Sequence, residues 1–224
     1  MAAYRQLNGT VSLGALTALG LLLAGLVGCG VPTPVATTGA APTVTGMSTT
    51  ADYFPLKAST RWTYHVEDKL NQASGDRTVM VRDYSTRSGE SAVLVYYANG
   101  QEVARQQVVK TADTLTWDAY GLTMDLAMLD KPGRLADKAG RVINHLGFET
   151  VDTPAGRFEK CLKIEVQVNE RMGRTGQEYR KVDTLWFAPG VGPVKRVYEE
   201  GYTDPKVGGW GKELIVSVLT QFQR

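Results

Sequence analysis

The stretch AVLVYYANGQEVARQQVVK, residues 92–110, decides the fold class. Its first half is rich in β-branched and aromatic residues and runs into Asn99-Gly100, a pair that tolerates the positive φ angles of a type I′ turn. Gln101 to Lys110 should therefore return antiparallel to residues 92–98. A two-residue turn sets Tyr96 opposite Val103, Val95 opposite Ala104 and Leu94 opposite Arg105, which leaves faces of unequal polarity and one of them toward solvent.

The same period of two recurs outward from this hairpin. Trp62, Tyr64 and Val66 alternate with Thr63, His65 and Glu67, so three large side chains share a face. Leu162, Ile164, Val166 and Val168 alternate with Lys163, Glu165, Gln167 and Asn169, and the loop NERMGRTGQ leads into a return strand over 178–187. Residues 214–222, LIVSVLTQF, are apolar on both faces, as in a strand covered on both sides, and should close the fold. Residues 122–146 have mixed spacing and a Pro132-Gly133 break, with a short helix expected over 134–139. The expected class is mainly β, an antiparallel curved sheet or open barrel with little helix, in preference to a two-sheet sandwich.

Charge distribution divides the chain. The 25 basic and 23 acidic residues nearly balance, which argues against nucleic-acid binding. Between Arg5 and Asp52, however, there is no Asp, Glu, Lys or Arg. Arg5 supplies a thin positive region, and residues 11–26 (VSLGALTALGLLLAGL) form a 16-residue apolar run. That run reads as the core of an export signal and falls short of the roughly 20 residues that span a bilayer. Residues 30–51 are Thr, Ala, Pro, Gly and Val apart from Met47 and Ser48, with no charge and no aromatic, a composition that cannot offset the entropy of ordering. The expected organisation is a signal peptide over 1–28, Cys29 and a disordered tether over 29–51, and a β-rich domain over 52–224.

The apolar run ends in Leu26-Val27-Gly28-Cys29, which resembles the bacterial lipobox. The resemblance implies that the Cys29 thiol is joined to diacylglycerol and that cleavage between Gly28 and Cys29 makes Cys29 the mature N-terminus. Two or three acyl chains, at about 0.8 kcal/mol per buried methylene, anchor stably where one anchors marginally. The expected location is the cell envelope. Gly30 lacks the Asp that retains lipoproteins at the inner membrane under the enteric-type rule, so the outer membrane is implied for a two-membrane organism and the outer face of the cell membrane otherwise.

Three further patches resemble the TapB-like family of exported domains and a related domain of unknown function. They are Tyr53-Phe54-Pro55-Leu56 with Arg61-Trp62-Thr63-Tyr64, then 151–163 (VDTPAGRFEKCLK), then 185–195 (LWFAPGVGPVK). In the first, Ser59 or Thr60 stands where the family has glycine. The resemblance implies a β-rich envelope domain without established catalysis. Pro154-Ala155-Gly156 suits a tight turn. Trp62 and Trp186 read as core anchors. Gly190 and Gly192 imitate a phosphate-cradling loop, but no helix pattern follows to supply amide donors.

No catalytic residue, metal site or cofactor is expected. His65 and His145 form no HExxH pattern and read as surface or half-buried groups, and there is no GxSxG elbow. Glu199-Glu200, Asp125 and Asp130 read as solvated charge. Cys161, left unpaired by lipidation of Cys29, reads as a small buried hydrophobe rather than a reactive thiol. The leading expectation is a non-enzymatic envelope lipoprotein that binds an apolar ligand or a protein partner through its curved sheet and meets the membrane through its lipid. A structural or adhesive module with a filled core is the alternative, and an envelope hydrolase ranks last.

Overall fold

The computed structural model describes residues 52–87, 89–119, 122–138, 140–171, 178–203 and 213–224. The expected signal peptide, the Gly28-Cys29 junction, the tether and most of the loop before residue 178 lie outside these residues.

Twelve antiparallel strands form one sheet. They are β1 (Arg61–Asp68), β2 (Ala73–Ser85), β3 (Glu90–Ala98), β4 (Gln101–Lys110), β5 (Thr114–Trp117), β6 (Leu122–Asp125), β7 (Gly133–Lys138), β8 (Arg141–Thr153), β9 (Gly156–Arg171), β10 (Glu178–Ala188), β11 (Gly192–Thr203) and β12 (Glu213–Gln223). Each strand neighbours its successor in the chain, except that β6 and β7 are the two ends of the order, while β1 pairs with β12. This is an up-and-down barrel that is nearly closed, and the missing rung is spanned by a five-residue 3₁₀ helix, Leu126–Asp130, capped by the Asp125 carboxylate on Ala127 N.

The expected turns are present. Asn99 and Gly100 have φ of 52° and 75°, as a type I′ turn requires. The register differs from expectation past Tyr97: a bulge sets Tyr96 opposite Ala104, Val95 opposite Arg105 and Leu94 opposite Gln106. Val103 is the extra residue, and it is 43% exposed. Pro154-Ala155 turns β8 into β9, with Gly156 at φ 139°.

Two expectations change. The helix expected over 134–139 is not seen in its described part, because β7 occupies Gly133–Lys138 and pairs with β8 while burying Leu135. Residues 214–222 do form β12, but Leu214, Val216 and Val218 on its outer face are only half-buried, whereas Leu219 on its inner face is fully buried. Trp186 is a buried member of the apolar core, as expected, and its strand partners Lys163 and Lys195 place their ammonium groups 5.0 and 4.7 Å from the ring centroid.

Directly paired residues share a face, so the register identifies the interior. Trp62 with Val79, Leu94 with Val81, Leu115 with Met124, and Phe187 with Leu162 make an apolar half. Each fully buried side chain of this kind contributes about 1.5–3 kcal/mol. The segment before β1 packs on that half. Phe54 lies 4.7 Å from Phe187 between ring centroids, and Lys110 holds the segment through Asp52 Oδ1 at 2.8 Å and the Phe54 carbonyl at 3.2 Å. Gly192, at φ 93°, lies so close to Trp62 that an added Cβ would sit 3.4 Å from the indole, while Trp62 Nε1 donates to the Val191 carbonyl at 2.6 Å. The glycine-containing loop is thus a seat for a core tryptophan.

Candidate functional site

Toward the opposite end, near the Asn99-Gly100 turn, the inner faces of the same strands become polar. On β10 the inward positions after Leu185 are Asp183 and Lys181, and on β11 they are Arg196, Tyr198 and Glu200. Asp183 is 3% exposed and takes both ends of a fork from Arg196, at 2.8 Å to Nε and 2.7 Å to Nη2. The Arg196 guanidinium also lies 5.0 Å from the centre of the Tyr198 ring. Glu200, likewise 3% exposed, accepts from the Tyr198 hydroxyl, and Lys181 Nζ lies 3.9 Å from its carboxylate. Each buried carboxylate is thus met by donors from neighbouring side chains, which offsets the cost of withdrawing it from water.

The facing wall comes from β1 to β5. Tyr96 Oη donates to Gln106 Oε1 at 2.7 Å, and Trp117 Nε1 donates to the same oxygen at 2.9 Å. Tyr64 Oη donates to the Pro193 carbonyl at 2.8 Å. Burial pushes the Tyr96 phenol well above its ordinary value despite the opposing charge of Arg196, and Tyr64 rises through burial and the neighbouring Tyr96. Both hydroxyls stay protonated donors.

Tyr96, Ala98 and Ala104 point inward by register, yet all three are only half-buried, so solvent reaches the interior at this end. Arg77, opposite Tyr64 on β1, also faces inward and is half-buried. Gly75 adds no side chain to that face, and a Cβ built there would meet nothing within 4 Å. Among the described residues the interior is packed with buried apolar side chains at one end, and at the other its inward wall is only partly covered. A separate depression of about 400 Å³ on the outer face, between Arg61, Met80, Arg82 and Tyr97, does not communicate with these inward positions by register.

The residues singled out from sequence fall elsewhere. Cys161 is fully buried, its thiol donates to the Phe158 carbonyl at 3.4 Å, and burial pushes its pKa up to about 11, so it is not poised for reaction. His65 lies outside the barrel, 3.2 Å from Asp76. His145 is 2% exposed, more buried than expected, and its Nδ1 lies 2.8 Å from the Lys131 carbonyl. Among the described residues no three His, Cys, Asp or Glu side chains gather as metal ligands. Asp125 and Asp130 are exposed, as expected, and so is Glu199, whereas its neighbour Glu200 is buried. A strand cannot keep two successive side chains on one face, which is the signal by which Glu200 could have been found. Cys29 lies outside the described residues.

Residues 141–203 match the DUF3108-like family model, a span that includes the second and third sequence patches and leaves out the first. Two solved structures have similar folds. One, a predicted lipoprotein of Parabacteroides distasonis, has a TM-score of 0.51 at 15% identity, covering 78% of this chain and 99% of that one. The other, a predicted exported protein with a YmcC-like fold from Bacteroides fragilis, has a TM-score of 0.50 at 16% identity, covering 78% and 100%. At these identities the likeness establishes the fold. No curated protein matches the chain.

Proposed function

We propose that this chain is a non-enzymatic lipoprotein of the bacterial envelope, anchored through lipid on Cys29, whose barrel domain binds an apolar or amphiphilic ligand at its open end. One observation carries the reading: Tyr96, Ala98 and Ala104 face the interior and yet are only half-buried, so apolar wall is within reach of solvent inside the barrel. The buried acids support binding over catalysis, since Asp183 and Glu200 are engaged by Arg196, Tyr198 and Lys181. The lipobox-like LVGC, the TapB-like patches and the description of one structural relative as a lipoprotein and the other as an exported protein support the envelope location.

The binding reading is tested with N-phenyl-1-naphthylamine, a neutral probe that fluoresces in apolar surroundings. The full-length protein in lipid discs should enhance its emission above empty discs, and Ala104→Trp, which fills the opening, should abolish the gain while leaving the far-ultraviolet circular dichroism unchanged. Equal enhancement by the two proteins contradicts the reading. Anchoring is tested by Cys29→Ser in a bacterial host, which should release the protein from membranes and block its processing; unchanged partitioning contradicts it.

A specific observation favours a second reading, in which the domain works by protein contact. Leu146 and Phe148 on β8 are 46% and 43% exposed, and Phe148 packs against Tyr53, the first aromatic after the tether. An exposed apolar pair of this kind suits a partner surface.

A further inference from the structure

Arg77 stands apart from the other inward charges. Arg196 is forked onto Asp183, and Lys181 lies beside Glu200. Arg77 makes no hydrogen bond or ion pair among the described residues, although it faces the interior opposite Tyr64 and is half-buried. A guanidinium has five N–H donors, and leaving them unmet in a partly dry site is costly. The fields of Arg196 and Glu213 act on it in opposite directions, and burial together with Arg196 lowers its pKa. Around it the wall is small: Gly75 precedes it on the inner face, and Ala98 is its partner on β3. Tyr64 is its partner on β1, and Tyr96 shares the inner face of β3 with Ala98.

We propose that Arg77 is the anchor for the oxyanion of an anionic amphiphile, whose apolar body rests against Tyr96, Ala98 and Ala104 inside the open end of the barrel. The proposal rests on the binding reading above and names its ligand class. Guanidinium forks match carboxylate, phosphate and sulfonate oxygens, and such charge-assisted bonds are about twice as strong as neutral ones. Arg196 adds positive potential from the facing wall, while its fork on Asp183 keeps it from collapsing onto the ligand. The space at Gly75 admits the headgroup.

Two probes separate this proposal from the reading beneath it. 8-Anilinonaphthalene-1-sulfonate carries a sulfonate on the framework of the neutral N-phenyl-1-naphthylamine. With full-length protein in lipid discs, the sulfonate should bind about tenfold more tightly than the neutral probe, a difference of about 1.4 kcal/mol. Arg77→Gln should weaken the sulfonate about tenfold and leave the neutral probe within twofold, and Arg77→Lys, which keeps a cation, should recover part of the loss. Octanoate should displace the sulfonate probe, and inorganic phosphate at millimolar concentration should not. If Arg77→Gln leaves the sulfonate affinity unchanged while the neutral probe still responds to Ala104→Trp, the anchor is overturned and the binding reading stands. Displacement by phosphate as effective as by octanoate overturns the amphiphile. If neither probe binds the wild-type protein, both the anchor and the binding reading fall.

Discussion

Asp183 and Glu200 illustrate what a single position decides inside this barrel. Each is a carboxylate withdrawn from water and held by donors from neighbouring strands. Asp183→Asn would leave Arg196 without its counter-charge. Removing one partner of a fully buried pair costs about 3–5 kcal/mol, and because Arg196 is 37% exposed the expected loss is smaller, about 2–3 kcal/mol by urea denaturation. An unchanged midpoint would show the pair to be without structural weight. Cys161 gives a second test. Its folded pKa, pushed up to about 11 from an ordinary 9.0, means that the folded state keeps a proton the unfolded state releases, so stability should fall as pH rises between these values. At neutral pH, alkylation of Cys161 should be slow and should accelerate with denaturant; rapid labelling of the folded protein contradicts its burial. Neither acid was distinguishable from solvated charge by composition. Only the strand period, applied to Glu199-Glu200, tells one from the other.

At the scale of the element, legibility followed local chemistry. The Asn99-Gly100 and Pro154-Ala155-Gly156 turns were readable because a positive φ or a fixed proline φ demands particular residues. The bulge at Val103 was not, since nothing in QEVARQ distinguishes a residue set aside from one in register. Residues 134–139, RLADKA, contain good helix formers but no capping residues, and pairing with β8 together with burial of Leu135 outweighs a propensity of a few tenths of a kcal/mol per residue. Gly100→Ala should cost about 1–2 kcal/mol through the positive φ alone. Gly192→Ala adds a close approach to Trp62 and should cost more, with a change in tryptophan emission that Gly100→Ala lacks. If the two variants melt alike and emit alike, Gly192 is not the seat of Trp62.

Across the whole molecule, every strand pairing but one joins sequence neighbours. The exception, β1 with β12, turns a linear meander into a barrel, and it brings Tyr64 beside Leu219 and Val66 beside Ser217. Ending the chain before β12 should therefore abolish cooperative thermal unfolding, followed by circular dichroism, and expose the interior wall. The strands were legible one by one from their alternation. The polar end of the interior was not, because it is assembled from β2, β3, β10 and β11, which are distant in sequence and meet only through that closing pair.

The central claim is that the open end holds a ligand, and native mass spectrometry of the full-length protein released gently from its host membrane tests it most directly. The expected spectrum contains the lipidated chain beginning at Cys29 together with a second species heavier by one non-covalently bound amphiphile, and Ala104→Trp should lack that species. A wild-type spectrum with the lipidated chain alone, or a bound species that persists in Ala104→Trp, would contradict it.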